Sequence, residues 1–340
     1  MSKQTVNVGL IGTGRIGRIH AQNLATRIPE ANLIAVADVV LGSAEEVGAH
    51  FSVSKITKDY QEILEDPEVR AVAICSSTNT HAQIIQDAAS AGKHIFCEKP
   101  IDLELKRIDK ALAAVETAGV KLQVGFNRRF DPNYRKVREM AAEGKIGEPQ
   151  ILRITSRDSE PPPLEFVKVS GGIFMDMTIH DFDMARYITG SEVEEIYVIG
   201  AVMIDPRIKE FGDLDTVIIT LRFENGVLGT IDNSRKAVYG YDQRVELFGS
   251  KGMISTENET PDRHSYSTVD GVQKSLPLYF FLERYTESYL REMQSFVNCV
   301  QNDTPPEVTG ADGRAPVVIG LAARKSYEDN RPVAISEITP

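Results

Sequence analysis

Tryptophan is absent from this chain of 340 residues. That weakens any carbohydrate-binding platform built from indole faces, although 11 Tyr and 13 Phe could partly substitute. Only three cysteines occur, Cys75, Cys97 and Cys299. They form neither a CxxC spacing nor an even set, so neither a disulfide framework nor a zinc cluster is suggested. Positive charge is also short, with 38 Lys plus Arg against 49 Asp plus Glu and a net charge of -11. Such a field repels polyanions and argues against nucleic acid or an anionic membrane as partner. No apolar run approaches the roughly 18 residues of a membrane span. A strand-like segment begins near Val6, leaving no room for a secretory leader, so a cytoplasmic location is expected. Low-complexity tracts and internal repeats are missing as well, while 42% hydrophobic and 26% charged residues suit an ordinary globular protein of about two domains.

What is present is a change of texture along the chain. Short apolar runs at Val6 to Ile11, Leu33 to Ala37, Ala71 to Cys75, His94 to Cys97 and Lys121 to Phe126 alternate with helix-like stretches near 15–28, 43–50, 79–91 and 104–118. Alternation of this kind reads as βαβ units in a doubly wound parallel sheet. After a helix near 131–143 the runs become β-branched or alternating: Gln150 to Thr155, Glu195 to Ile204, Thr216 to Phe223, Gly226 to Arg235, Arg244 to Phe248 and Met253 to Thr256. Asn225-Gly226 is a hairpin signal, because Asn-Gly tolerates the positive φ of tight primed turns. Helices near 181–189, 282–301 and 310–328 complete the pattern. The expected plan is α/β: a nucleotide-binding domain over 1–127, then an α+β domain over 128–340 with a large, mostly antiparallel open sheet.

The first run leads directly into Gly12-Thr13-Gly14-Arg15-Ile16-Gly17. Gly12 allows the tight turn, Gly14 lets the backbone approach a pyrophosphate, and Gly17 permits close helix packing, with helix N–H groups facing the anion. Arg15 and Ile16 open that helix and belong to the same cofactor-binding segment. Asp38 falls 21 residues after Gly17, at the end of the second run, where a carboxylate takes ribose hydroxyls. Val39 and Val40 follow it, with no cation to accept a 2′-phosphate, so NAD is favoured over NADP. Ser76, Thr78 and Asn79 follow the third run, where carboxyl-end loops line the crevice; simple helix capping is the competing reading.

Glu98-Lys99-Pro100 projects from the end of the fourth run, with Pro100 favouring an extended Lys99. Asp176 and His180 stand four residues apart behind Gly171-Gly172, a spacing that on one helix sets carboxylate and imidazole on one face. That pair reads equally as an acid/base device or as a surface ion pair. No third ligand recurs at a spacing suited to a metal, and none is expected.

These motifs, in this order and over nearly the whole length, resemble the glucose-fructose oxidoreductase and inositol dehydrogenase family. Gly125-Phe-Asn-Arg-Arg-Phe-Asp131 and Ser156-Arg-Asp-Ser-Glu-Pro-Pro-Pro163 look most like its myo- and scyllo-inositol dehydrogenase members. The resemblance implies a Rossmann domain binding NAD, with Glu98 and Lys99 among its cofactor contacts. It also implies a second domain for substrate and for homo-oligomerisation as dimer or tetramer, oxidation of a polyol hydroxyl, and a catalytic set of Lys99, Asp176 and His180. On this reading His180 takes the hydroxyl proton, Asp176 orients it and Lys99 stabilises the substrate oxygen; a rival assignment makes Lys99 the base. Position relative to the family pattern adds Arg128, Asp158, Tyr239, Tyr241 and Tyr285 as polyol contacts. Some relatives carry a side-chain amide where this chain has Arg157-Asp158, which leaves the preferred stereoisomer open.

Overall fold

The computed structural model describes residues 5–339. It holds two compact units: residues up to Phe130 together with Glu287–Ala315, and Asp131–Thr286 together with Pro316–Thr339. The sequence reading assigned 128–340 to the second domain without a break. Helix Thr286–Asn302 instead gives Met293, Phe296, Val297 and Val300 to the core formed by Val8, Leu10, Leu24 and Phe96. Its apolar stripe announces burial but not which core receives it.

The first unit is built on strands β1 (Val6–Ile11), β2 (Ala31–Ala37), β3 (Lys55–Thr57), β4 (Ala71–Ile74), β5 (His94–Glu98) and β6 (Leu122–Gly125). They pair in parallel in the order β3-β2-β1-β4-β5-β6. Covered faces on both sides explain why β4 and β6 are buried at every position and read as unbroken apolar runs. The three-residue β3, Lys-Ile-Thr, is too short to have made such a run and was not anticipated. Strand order reverses between β2 on one side of β1 and β4 on the other, so the carboxyl ends of β1 and β4 flank the crevice where such sheets bind ligands.

In the second unit β7 (Pro149–Arg157), β8 (Val193–Ala201), β9 (Thr216–Phe223), β10 (Leu228–Ser234), β11 (Asp242–Gly249) and β12 (Gly252–Ser255) form one sheet. The short hairpin β13 (Ser265–Thr268) and β14 (Gly271–Lys274) stands apart, and β15 (Val333–Ala334) joins the main edge. The order is β12-β11-β7-β10-β9-β8-β15, and only β7 and β10 run parallel among these pairs. In β9 Val217, Ile219, Leu221 and Phe223 face inward while Ile218, Thr220 and Arg222 are exposed. Helix Thr178–Thr189 packs against β7 and β10, and the turn at Gly226, with φ of 86°, joins β9 to β10 as anticipated. No helix of the described residues is long and apolar enough to cross a membrane.

Helix Pro132–Ala142 starts on Asp131, whose Oδ1 accepts the N–H groups of Asn133 at 2.9 Å and Tyr134 at 3.1 Å. The other oxygen, Oδ2, accepts Nη1 of Arg284 at 2.5 Å, and both side chains are almost fully buried. The Arg284 guanidinium also lies 4.8 Å from the Tyr285 ring centroid and 5.6 Å from that of Tyr134. Asp131→Ala would strand this buried cation and remove a helix cap. Urea denaturation is expected to register a loss of about 3–5 kcal/mol; a loss within the scatter of surface substitutions would contradict the ion pair's structural weight.

Candidate active site

The glycine loop is shaped by what it excludes. Gly12 has φ of +96°, and a Cβ there would stand 2.5 Å from the Ser76 nitrogen; one on Gly17 would stand 2.0 Å from the Gly12 carbonyl oxygen. Gly14 meets nothing within 4 Å, which leaves its side open for an incoming group. It is the N-cap of helix Arg15–Gln22 and offers no side chain to the first-turn N–H groups. Thr13, unremarked in the sequence, is buried and ties the loop to Asp38: its N–H and hydroxyl donate to Asp38 Oδ2 at 2.7 and 2.9 Å. Asp38 Oδ1 accepts the Val40 N–H at 2.9 Å. The carboxylate expected to read the ribose is therefore also the brace of the phosphate loop. Arg15 is exposed and Ile16 half-buried at the same helix start.

Helix Thr78–Ser90 has Ser77 as its N-cap, with no side-chain capping bond. Capping by Thr78 or Asn79 is thus not what the structure contains; both lie in the first turn, and Ser76 pairs instead with Thr80, Oγ to Oγ1 at 2.7 Å. Buried His81 reaches the Ser76 carbonyl from Nε2 at 3.0 Å and the Pro100 carbonyl from Nδ1 at 2.9 Å. It spans the loops after β4 and β5. Burial lowers its pKa and favours the neutral ring, which has one N–H for these two acceptors. Lys99 is half-buried at the carboxyl end of β5, and the Lys99–Pro100 peptide is cis. Glu98, expected to contact cofactor, has its Oε1 2.8 Å from Nε2 of buried His20.

In the second unit Gly171 and Gly172 have φ of 82° and 80°. A Cβ on Gly172 would lie 2.6 Å from Asp213 Oδ1, the atom that accepts the Ile173 N–H at 2.8 Å. Arg324 donates to the Gly171 carbonyl at 2.5 Å. This turn launches helix Ile173–Asp176, and Met177 separates it from helix Thr178–Thr189. Asp176 and His180 therefore sit on two successive helices rather than one. The His180 N–H bonds the Met177 carbonyl at 3.3 Å, a tighter i−3 turn, because the first helix stops at Asp176.

Asp176 is held by a residue the sequence reading passed over. Arg235 is fully buried; its Nη1 donates to Asp176 Oδ2 at 3.0 Å and its Nη2 to Asp213 Oδ2 at 3.4 Å. The same parity of β10 turns Asn233 inward, where it donates to Asp181 at 2.9 Å and accepts from Thr178 at 2.6 Å. A signal existed: Gly229, Ile231, Asn233 and Arg235 share the buried face, and polar residues at core parity need partners. One guanidinium thus fixes both the glycine turn, through Asp213, and the carboxylate that follows it.

The proposed polyol contacts divide. Tyr239 is partly exposed; its hydroxyl donates to Asp242 at 2.6 Å and accepts from Arg157 at 3.0 Å. Burial and the bond to Asp242 raise its pKa. Asp158 is half-buried, its backbone bonded to Ser234 and Ala237. Arg128 is buried in the 3-10 turn Asn127–Phe130. Tyr241 and Tyr285 belong to the interior, rings edge-on with centroids 6.0 Å apart; Tyr285 is 2% exposed and its hydroxyl meets that of Tyr134 at 3.4 Å. Tyr285 also packs beside the Arg284 guanidinium. A cleft of about 650 Å³ opens beside Asn7, Arg70, Lys93 and His94, at the amino-terminal edge of the parallel sheet, opposite the edge where such folds bind ligands.

Residues 6–126 match the model of the oxidoreductase family with an NAD-binding Rossmann fold, and residues 134–255 match the GFO/IDH/MocA C-terminal domain. The chain is 50% identical over 333 residues to a myo-inositol 2-dehydrogenase of Thermotoga maritima, covering 98% of this chain and 99% of the relative. An inositol 2-dehydrogenase of Rhizobium meliloti is 44% identical over 333 residues, covering 98% of this chain and all of the relative (100%). Among solved structures, a scyllo-inositol dehydrogenase from Lactobacillus casei with bound NAD(H) and scyllo-inositol superposes with a TM-score of 0.92 at 31% identity, covering 98% of this chain and 100% of that one.

Two glycine substitutions separate folding from cofactor binding. Gly17→Ala forces a methyl against the Gly12 carbonyl and should lower both stability and NAD affinity. Gly14→Ala enters open space and should leave the urea midpoint unchanged while weakening NAD in calorimetry by tenfold or more, an estimate on the order of 1.4 kcal/mol. Unaltered NAD affinity in Gly14→Ala would show that the pyrophosphate does not approach this backbone.

Proposed function

The chain belongs to the GFO/IDH/MocA family of NAD-binding oxidoreductases, and from that premise we propose that it oxidises one secondary hydroxyl of myo- or scyllo-inositol to the ketone, with NAD accepting the hydride. The observation that carries this reading is the 50% identity over 98% of the chain to a protein described as a myo-inositol 2-dehydrogenase. Three groups support it chemically. An alcohol yields hydride to the nicotinamide only as its O–H proton leaves, so a base must reach that oxygen. His180 is that base, imidazole being the side chain that in its free form exchanges a proton closest to neutrality. Asp176 orients it or binds a neighbouring hydroxyl, its own orientation set by buried Arg235 at 3.0 Å. Lys99 donates to the substrate oxygen and stabilises the charge that develops there.

His180→Ala should cut turnover by about 10²–10⁴-fold with NAD affinity nearly intact, and Lys99→Met should lower kcat/KM by a comparable factor. Purified protein with NAD and a panel of cyclitols, cyclic sugars and aldoses, followed by NADH absorbance, checks both residues and substrate. Normal turnover in His180→Ala removes it as base and transfers the role to Lys99. Preference for an aldose would replace inositol as substrate, and silence across the panel with tight NAD binding would favour a dinucleotide-sensing regulator.

The assembly is a homo-oligomer on the same reading, a dimer or tetramer. Its support is the open face of the second sheet, where Phe248, Met253, Leu228, Ile218 and Ile199 are each at least 42% exposed. A monomeric sedimentation coefficient at micromolar concentration would refute it.

A further inference from the structure

Beneath the strand end that carries Lys99, the first unit buries three titratable side chains from three elements. His20 comes from the glycine helix, Glu98 from the end of β5 and Glu292 from helix Thr286–Asn302. His20 and Glu292 have side chains 0% exposed, and Glu98 has 12%. His20 Nε2 lies 2.8 Å from Glu98 Oε1 and 3.8 Å from Glu292 Oε1. Since the Glu98 carboxylate accepts at that distance, Nε2 carries the proton. Neither oxygen of Glu292 has a hydrogen-bond partner among the described residues, and no lysine or arginine pairs with it. Near them lie the Phe96 and Tyr289 rings, 5.0 and 5.9 Å from the His20 ring, the half-buried Cys75 and the buried Cys97.

Two ionised carboxylates here would share one hydrogen-bond donor in an apolar pocket, an arrangement whose desolvation cost no described contact offsets. A divalent cation is the other way to balance them, as the three ligand atoms lie within 4.8 Å of one another. The short contact favours a proton: ligands about 2.1 Å from a tetrahedral metal stand roughly 3.4 Å apart, whereas 2.8 Å is a hydrogen bond. We propose that Glu292 is a neutral carboxylic acid in the folded protein, and that His20 is a positioning residue which fixes Glu98 and, through it, the adjoining Lys99. The positioning part rests on Lys99 being catalytic; the neutral acid does not. Burial first, then the charge of Glu98, pushes the Glu292 pKa well above the usual carboxylate range, in agreement with the geometry.

A group whose folded pKa is raised gives stability that is full below its unfolded pKa and is lost as pH rises toward the folded value. Above about pH 4.3 the wild-type folding constant should therefore fall by about tenfold per pH unit through this group. Glu292→Gln keeps the shape and removes the titration, so the ratio of its folding constant to that of wild type should climb by that factor per unit between pH 5 and 7 in urea denaturation. Glu292→Met serves if the glutamine variant does not fold. A flat ratio for the variant measured overturns the neutral acid, as does one equivalent of divalent metal in purified wild type that is lost in the variant.

His20→Leu removes the donor to Glu98 and His20→Gln restores one. Positioning predicts that His20→Leu lowers kcat at least tenfold with little change in KM for NAD, and that His20→Gln recovers most of it. Equal losses in both, or an unchanged kcat in His20→Leu, overturn the positioning role. Lys99→Met assayed alongside separates the two ideas: if it turns over normally the catalytic reading of Lys99 fails, while the pH dependence of stability still decides the state of Glu292.

Discussion

A buried guanidinium cannot be left unpaired, and Arg235 makes that constraint the organising fact of the second unit. Its two carboxylate partners lie 59 and 22 residues away in the chain, at Asp176 and Asp213. Asp213 then holds the Ile173 N–H and occupies the volume any side chain on Gly172 would need. The turn at Gly172 and the placing of Asp176 both depend on this one desolvated charge and its partners. Packing alone would tolerate many loop shapes here; an ionic network anchored at both Nη groups tolerates few.

The first unit uses the same logic at a smaller scale. Asp38 receives both donors of Thr13, so the glycine loop and the carboxylate at the end of β2 are one hydrogen-bonded object. His81 stands between the loops after β4 and β5, its neutral ring donating one N–H to a carbonyl of one of them. Each unit thus presents groups whose positions are set from behind by buried polar contacts. Hydride transfer depends on such preorganisation, because the acceptor carbon and the proton acceptor must both be in reach of one substrate carbon and its oxygen.

How much of this was legible in the chain depends on range. The strands are legible, and with them the places of the glycine loop, Asp38 and Lys99, which follow β1, β2 and β5 directly. Helix capping at Thr78 or Asn79 failed because Ser77, a residue earlier, takes the N-cap with an extended backbone. Tyr285, whose position suggests a substrate contact, is buried with its ring beside the Arg284 guanidinium, a contact that no local pattern announces. Helix Thr286–Asn302 was recognised as a helix and assigned to the wrong core. Periodicity gives the buried face and is silent on the partner.

The sequence by itself determined the parallel sheet of the first unit, the tight glycine turn after β1 and the membership of an oxidoreductase family. Those depend on apolar runs and on backbone angles that a few adjacent residues dictate. Only the tertiary structure decided that Arg235 and Asp213 hold Asp176, that Thr13 braces Asp38, and that Glu292 meets His20 and Glu98 in one pocket. Such contacts join residues from 22 to more than 200 positions apart. A buried charge takes its partner from whatever the fold brings within about 3–4 Å, and no local pattern in the chain encodes that distance.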